Sequence, residues 1–352
     1  YYLPPSPSST PWSPSWSPDG SAIAVSMAGS IWSVDPSTGT ATEMTRGSKY
    51  HSSPTWSPDG QWIVYTADDG GNTIQLEILN VTSGVTTTLT EDDYVYTDPV
   101  FSPDGTKLAY VSTAPNGYFN VYVRAIRNGV WNGAEVAVSS DNDYGRSRLY
   151  FGNQDMHITP SWLPNGNELL IVSNRNVALG SGNVIRVPAV EDGISQFSTV
   201  LAEQTLYRTQ PDVSIDGKRF VYSSTSGTAD QFNNLYVQPT VGGEPYKMTF
   251  FQHDAFHPRW SPDGTQIVYE SKRKGYFQIF KYTLTTNRHQ QLTYGRFNSE
   301  KPDWSPNGKQ IVFSSNRDGK PKLFLTSVYG GRMIRLTTNP GSTTEANPVW
   351  SK

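Results

Sequence analysis

A five-residue turn motif repeated seven times constrains this chain more than any other feature. Trp16-Ser17-Pro18-Asp19-Gly20 recurs as Trp56-Ser57-Pro58-Asp59-Gly60, then in variants running Phe101 to Gly105, Trp162 to Gly166, Val213 to Gly217, Trp260 to Gly264 and Trp304 to Gly308. Pro14, Pro54, Pro99, Pro160, Pro211, Pro258 and Pro302 each stand two residues before the first residue of a copy. Pro fixes φ, Asp or Asn bonds its own backbone, and Gly supplies the positive φ that closes a tight hairpin. Gly20, Gly60, Gly105, Gly166, Gly217, Gly264 and Gly308 are therefore expected to be structural.

The rest of each unit repeats in order. An apolar run follows the turn, as in Ile267-Val268-Tyr269, then a Gly-containing loop, a second apolar run, and a last run ending in a pair such as Leu89-Thr90 or Met248-Thr249. The turn Asp or Asn falls at 19, 59, 104, 165, 216, 263 and 307, mostly 40 to 51 residues apart with one step of 61. Four short strands in that period make one blade of a β-propeller. The expected fold is all-β, a single propeller of about seven four-stranded blades over 12–352, after a Pro/Ser-rich lead-in at 1–11. Asn347-Pro348-Val349-Trp350-Ser351 starts another copy, so eight blades is the alternative. The Trp that opens five of the seven motifs is large enough to fill the space between neighbouring blades.

Composition agrees with this and excludes several functions. Aromatics reach 12%, with 10 Trp and 20 Tyr, which suits strands, while 30 Gly and 25 Pro make long helices improbable. A net charge of −3 gives nucleic-acid binding no electrostatic support. With no Cys, disulfides, thiolate metal sites and Cys nucleophiles are ruled out. No apolar run approaches the ~18 residues of a membrane span. The chain begins at Tyr1 rather than Met, as a processed exported protein or a trimmed one would.

The repeat resembles the TolB-type propeller repeat, a relative of the WD-repeat propeller, over residues 12–350. That resemblance implies an exported bacterial protein, periplasmic or extracellular, or a propeller attached to a peptidase or amidohydrolase. Tyr150 to Asn153, Gly182 to Pro188 and Tyr207 to Val213 further resemble the propeller half of exported amidohydrolases. The catalytic half of such an enzyme needs a His-x-His strand end, and none of the 5 His forms one. Neither Gly-x-Ser-x-Gly nor His-Glu-x-x-His occurs. No catalytic residue, cofactor or metal is expected. Asp141 and Asp143 form an Asp-x-Asp without the Gly and Glu of a calcium loop, and Asn80-Val81-Thr82 is a sequon without a secretory context.

Function is expected where the outer strand of one blade crosses to the inner strand of the next. The residues just before the motif Pro are Ser13, Ser53, Asp98, Thr159, Gln210, His257 and Lys301, a polar row converging on the mouth of the central channel. The candidate partner-binding set is Asp98, His157, Tyr207, Arg208, Gln210, His257 and Lys301, with Tyr94 and Tyr96 beside it. His51, His157, His253 and His257 all precede a motif Pro by one to five residues, on separate connections that argue against a shared metal. The 61-residue step contains Asp141 to Tyr150, a mixed-charge segment with two Tyr that could carry an interface. On the opposite face the turn dictates its own residues, so a Lys or Glu at Ser57 or Ser261 is expected to be neutral for partner binding. These residues point to a non-enzymatic binding or scaffolding module that engages a protein or peptide at the channel mouth. The alternatives are a gating propeller of a larger hydrolase and a subunit that self-assembles through blade edges.

Overall fold

The computed structural model describes residues 12–142, 155–175, 183–201, 211–225, 232–250 and 252–337. Among them are seven four-stranded antiparallel sheets, each a meander of consecutive strands. Blades 1 to 7 span 12–43, 50–88, 96–137, 157–201, 212–247, 255–291 and 299–335. Besides strands there is one 3-10 turn, Gly193–Gln196. The ring has seven blades, as the motif count requires; residues 347–351 lie outside the described set.

The seven hydrophobic clusters each straddle one junction between blades. Trp56 packs with Ala24 and Ile31 of blade 1, Trp260 with Val221 and Leu235 of blade 5, and Trp304 with Val268 and Ile279 of blade 6. Trp16 packs with Val312, Leu323 and Leu325 of blade 7, so the ring closes by side-chain packing between its first and last blades. The indoles also bond across the junctions. Trp56, Trp162, Trp260 and Trp304 donate Nε1–H to the carbonyls of Ser15, Val100, Asp212 and Arg259 at 3.2, 3.1, 3.0 and 3.0 Å. An inner strand is a sheet edge with unpaired carbonyls, and the next blade's indole satisfies one of them.

Six of the seven motif turns share one construction, the exception being blade 4 with Leu163 in place of Ser. Ser57 Oγ donates to Asp59 Oδ1 at 2.5 Å and accepts from Trp62 N at 3.0 Å, and Gly60 N closes on Ser57 O at 2.9 Å. Ser17, Ser102, Ser214, Ser261 and Ser305 repeat the bond to their own Asp or Asn. All seven motif glycines have positive φ, between 66° and 74°. The turns also stack: a Cβ on Gly217 would lie 2.9 Å from Pro164 Cδ, and one on Gly60 3.7 Å from Pro18 Cδ. Ser57 and Ser261 are each 3% exposed, so a charge there bears on the turn's stability as well as on partner binding. A charged side chain there would lose the turn's own hydrogen bonds.

The Leu-Thr and Met-Thr pairs end the outer strands for a similar reason. Thr45, Thr90, Thr249, Thr293 and Thr337 accept the backbone N–H of Ile31, Leu76, Leu235, Ile279 and Leu323 through their hydroxyls. The short outer strand stops there, and the Thr side chain replaces its next rung.

Candidate functional site

The row before the motif Pro sits in a bulge of every inner strand whose register is described through that point. On blade 2, Ser52 pairs with Thr66 and Thr55 with Val64, leaving Ser53 and Pro54 opposite the single residue Tyr65. Blades 1, 3, 4, 6 and 7 repeat the shift. Ser53, Asp98, Thr159, His257 and Lys301 have φ of 52°, 49°, 52°, 48° and 53°. Left-handed backbone in non-glycine residues costs about 1–2 kcal/mol each, and bulges re-aim side chains where ligands are met. The recurrent Pro inside a strand was the available signal, since Pro is confined to strand edges, starts and bulges.

The bulges turn four of these five side chains into the channel, Thr159 being the exception. A cavity of about 490 Å³ is lined by Ser53, Asp98, His257 and Lys301 from the row. A second tier, the residue just after each motif Pro, adds Ser15, Thr55, Val100, Asp212, Arg259 and Asp303. The sequence reading overlooked this tier, although consecutive units read Pro211-Asp212, Pro258-Arg259 and Pro302-Asp303. It also overlooked Glu270, which stands in an apolar strand where other blades carry Ser26, Thr66 or Val111.

Charge in the channel is concentrated on blades 5 to 7. Arg259 lies 3.6 Å from Asp212. Glu270, buried in blade 6, meets His257 Nδ1 at 3.0 Å and accepts the Lys301 N–H at 2.5 Å. Burial pushes the Asp303 carboxyl up to about 6, and the neighbouring Asp212 reinforces that against the pull of Arg259. Asp212 is raised by burial too, with Arg259 opposing. Burial pushes the Asp98 carboxyl up to about 6, although the residue is exposed where it lines the cavity. Burial brings the Lys301 ammonium down to about 8, with Glu270 and Glu300 opposing.

Several of these acids already hold the ring together. Asp212 Oδ2 accepts from Trp260 N at 2.7 Å, Asp98 from the Thr159 N–H, and Asp303 from the Trp16 N–H. Each carboxylate thus satisfies an edge N–H of the following blade. Of the cavity-lining side chains Asp98 is exposed and those of His257 and Arg259 are 43% and 38% exposed, whereas the Thr55 hydroxyl donates to Pro99 O at 3.2 Å.

His157 differs from the rest of the candidate set. It is 0% exposed, its Nε2 lies 3.5 Å from Asp141 O, and it does not line the cavity. It belongs to a polar network in which Arg175 pairs with Asp155 at 3.0 Å and Asp141 at 3.2 Å. Tyr94 donates to Pro115 O at 3.3 Å, and Tyr96, 5% exposed, donates to Asp92 at 2.6 Å. His51 is buried against Thr45 and Glu77. Tyr207, Arg208 and Gln210 lie outside the described residues, as does 143–150. Among the described residues no three His, Asp or Glu side chains gather as metal ligands, and no helix is long and apolar enough to cross a membrane.

Comparison with known proteins places this architecture. A TolB homologue from Protochlamydia amoebophila is 54% identical over 41 residues, which is 12% of this chain and 9% of that protein. The chain matches less than half the length of the curated relatives, 9% and 47%. A puromycin-hydrolyzing peptidase from Mycobacterium tuberculosis superposes with a TM-score of 0.69 at 15% identity, over 97% of this chain and 56% of that one. An oligogalacturonate lyase in complex with manganese gives 0.67 at 16% identity, over 88% and 86%. These two likenesses show the fold alone. The TolB β-propeller domain model matches residues 7–142 and 132–352, and the chain belongs to that family.

Proposed function

We propose that this propeller is a non-enzymatic binding module of an exported protein, periplasmic or extracellular, that receives a protein or peptide segment at the channel mouth. The observation that carries the reading is the ≈ 490 Å³ cavity, into which strained bulges turn Asp98, His257 and Lys301 above Arg259. Strain of this kind persists where the surrounding structure enforces it, often at ligand sites. The opposite face offers little, because the turn and its stacking prescribe each residue there. Mixed charge with an accessible Arg suits a polypeptide rather than an apolar small molecule.

A displayed library of random peptides, selected on the wild-type protein, tests this. Selected peptides should rebind Gln61→Lys, on the turn face, as well as wild type, and lose about tenfold or more on Arg259→Ala or Lys301→Met. Selected peptides that ignore both channel substitutions would refute it.

A second reading makes the chain the gating propeller of a larger hydrolase. Its support is the peptidase superposition, in which the propeller accounts for 56% of the partner structure. A reading frame that continues past Lys352 into a catalytic domain would favour it. Self-assembly through blade edges is the third reading, and light scattering that finds only monomers across a wide concentration range would remove it.

A further inference from the structure

Inner strands run from the mouth to the motif turns, and neighbouring strands are antiparallel. The connections between the second and third strands, and those from each outer strand to the next blade, therefore open on the mouth face. Their charges differ by side, apart from connection 44–49, whose Arg46 and Lys49 pair with Glu43 and Glu77. Connections 68–73 and 89–95, of blades 2 and 3, carry exposed Asp69, Glu91, Asp92 and Asp93 and no Lys or Arg. Connections 272–276, 292–298 and 316–322, of blades 6 and 7, carry exposed Lys272, Lys274, Arg296, Arg317 and Lys320 against the single acid Asp318. In a ring of seven these pairs of blades face each other across the channel. On the basic side Phe250 and Tyr294 are 73% and 65% exposed, at equivalent positions after Thr249 and Thr293. Lys247 Nζ lies 5.6 Å from the Phe250 ring and Arg317 5.3 Å from that of Phe297.

We infer that the rim of blades 6 and 7 docks an acidic polypeptide segment carrying apolar or aromatic side chains, oriented by the acidic rim opposite. The inference rests on the channel-mouth reading and names the chemistry of its partner. Exposed cations and aromatics side by side match glutamate or aspartate interspersed with apolar residues. The carboxylates across the mouth repel the same anion, which fixes the direction of the chain over the cavity. They also disfavour a nucleic acid, whose charge is uniform along its length. A second copy of this protein could pair basic rim with acidic rim, but two flat mouths would leave the cavity between them unfilled.

The test uses a fluorescein-labelled dodecapeptide of Glu-Glu-Phe-Asp repeats and its Lys-Lys-Phe-Lys counterpart, titrated by anisotropy. The acidic peptide should bind wild type more tightly than the basic one, and at least about tenfold more weakly once salt rises from about 20 to about 200 mM. Lys274→Glu with Arg296→Glu should weaken it about tenfold or more, as should Lys272→Glu with Lys320→Glu, while Lys309→Glu on the turn face leaves it unchanged. Equal binding of the two peptides, or indifference to both rim pairs, overturns the inference. So does an oligonucleotide of equal charge that binds as tightly, or a dimer that the rim pairs dissolve. If library-selected peptides still depend on Arg259 and Lys301 while the rim pairs have no effect, the rim inference falls alone. If they depend on neither, both readings fall.

Discussion

Replacing two motif glycines by Ala separates backbone strain from blade stacking. Gly60 and Gly217 have nearly the same φ, 71° and 68°, so a Cβ at either carries the left-handed cost of about 1–2 kcal/mol. Their surroundings differ. The new Cβ would sit at 3.7 Å from Pro18 Cδ in the first, ordinary contact, and at 2.9 Å from Pro164 Cδ and 3.3 Å from its Cγ in the second. The Pro ring is stiff and held by its own turn, so the second substitution adds overpacking of about 1–3 kcal/mol. Gly217→Ala should therefore cost about 2–5 kcal/mol and Gly60→Ala about 1–2 kcal/mol. With an unfolding entropy of about 2 cal/mol/K per residue, a cooperative ring of this length loses about 1–2 °C of Tm per kcal/mol. Thermal unfolding followed by circular dichroism should show the Gly217 variant melting at least about 1 °C below the Gly60 variant. Equal shifts would refute the stacking of each turn on the preceding Pro.

Two further outcomes follow from the same geometry, and a third from the sequence. Trp260→Ala should cost about 3–5 kcal/mol in urea unfolding, since it opens a cavity between blades 5 and 6 and strands the Asp212 carbonyl. An unchanged midpoint would mean that the indole does not hold the junction. The folded Asp303 carboxyl keeps its proton to about pH 6, whereas the unfolded one releases it near 3.8. The folded state therefore binds the extra proton between those values, and stability falls as pH rises from 3.8 to about 6. Asp303→Asn keeps an acceptor for Trp16, removes that slope, and should stabilise at pH 7.5 by about 1 kcal/mol, less than the full shift because channel water screens the charge; equal Tm differences from wild type at pH 4 and pH 7.5 would contradict this. Arg208→Ala or Tyr207→Ala should weaken an identified partner by about 1–3 kcal/mol without lowering the Tm, as affinity and melting curves measured together would show.

The fold was legible because each unit carries its own punctuation. Trp-Ser-Pro-Asp-Gly prescribes a turn by local chemistry, and the Leu-Thr pairs mark where an outer strand stops, so the blade count needed no long-range information. The site was legible only in part. The polar row was visible and was read as the lining of a binding mouth, but the left-handed bulge before Pro that aims those residues was not. The carboxylates of Asp98, Asp212 and Asp303 read as partner contacts or went unnoticed. Their employment on N–H groups of the next blade depends on ring closure, which no single repeat encodes. His157 counted as a mouth residue by its spacing from Pro160, but its side chain is buried against the Asp141 carbonyl and does not line the cavity. Ser57 and Ser261 read as surface because they lie in a turn, and their 3% exposure comes from the Asp they hold.

Hydrogen–deuterium exchange of the full chain, with and without a library-selected peptide at saturation, tests the central claim most directly. The account expects slowed exchange at the mouth ends of the inner strands, around 255–259 and 299–303, and at the rim connections 272–276 and 292–298. Exchange at the motif turns 57–62 and 261–266 should stay unchanged. Protection confined to those turns, with the mouth exchanging as in the free protein, would place the partner on the other face of the ring and contradict the account.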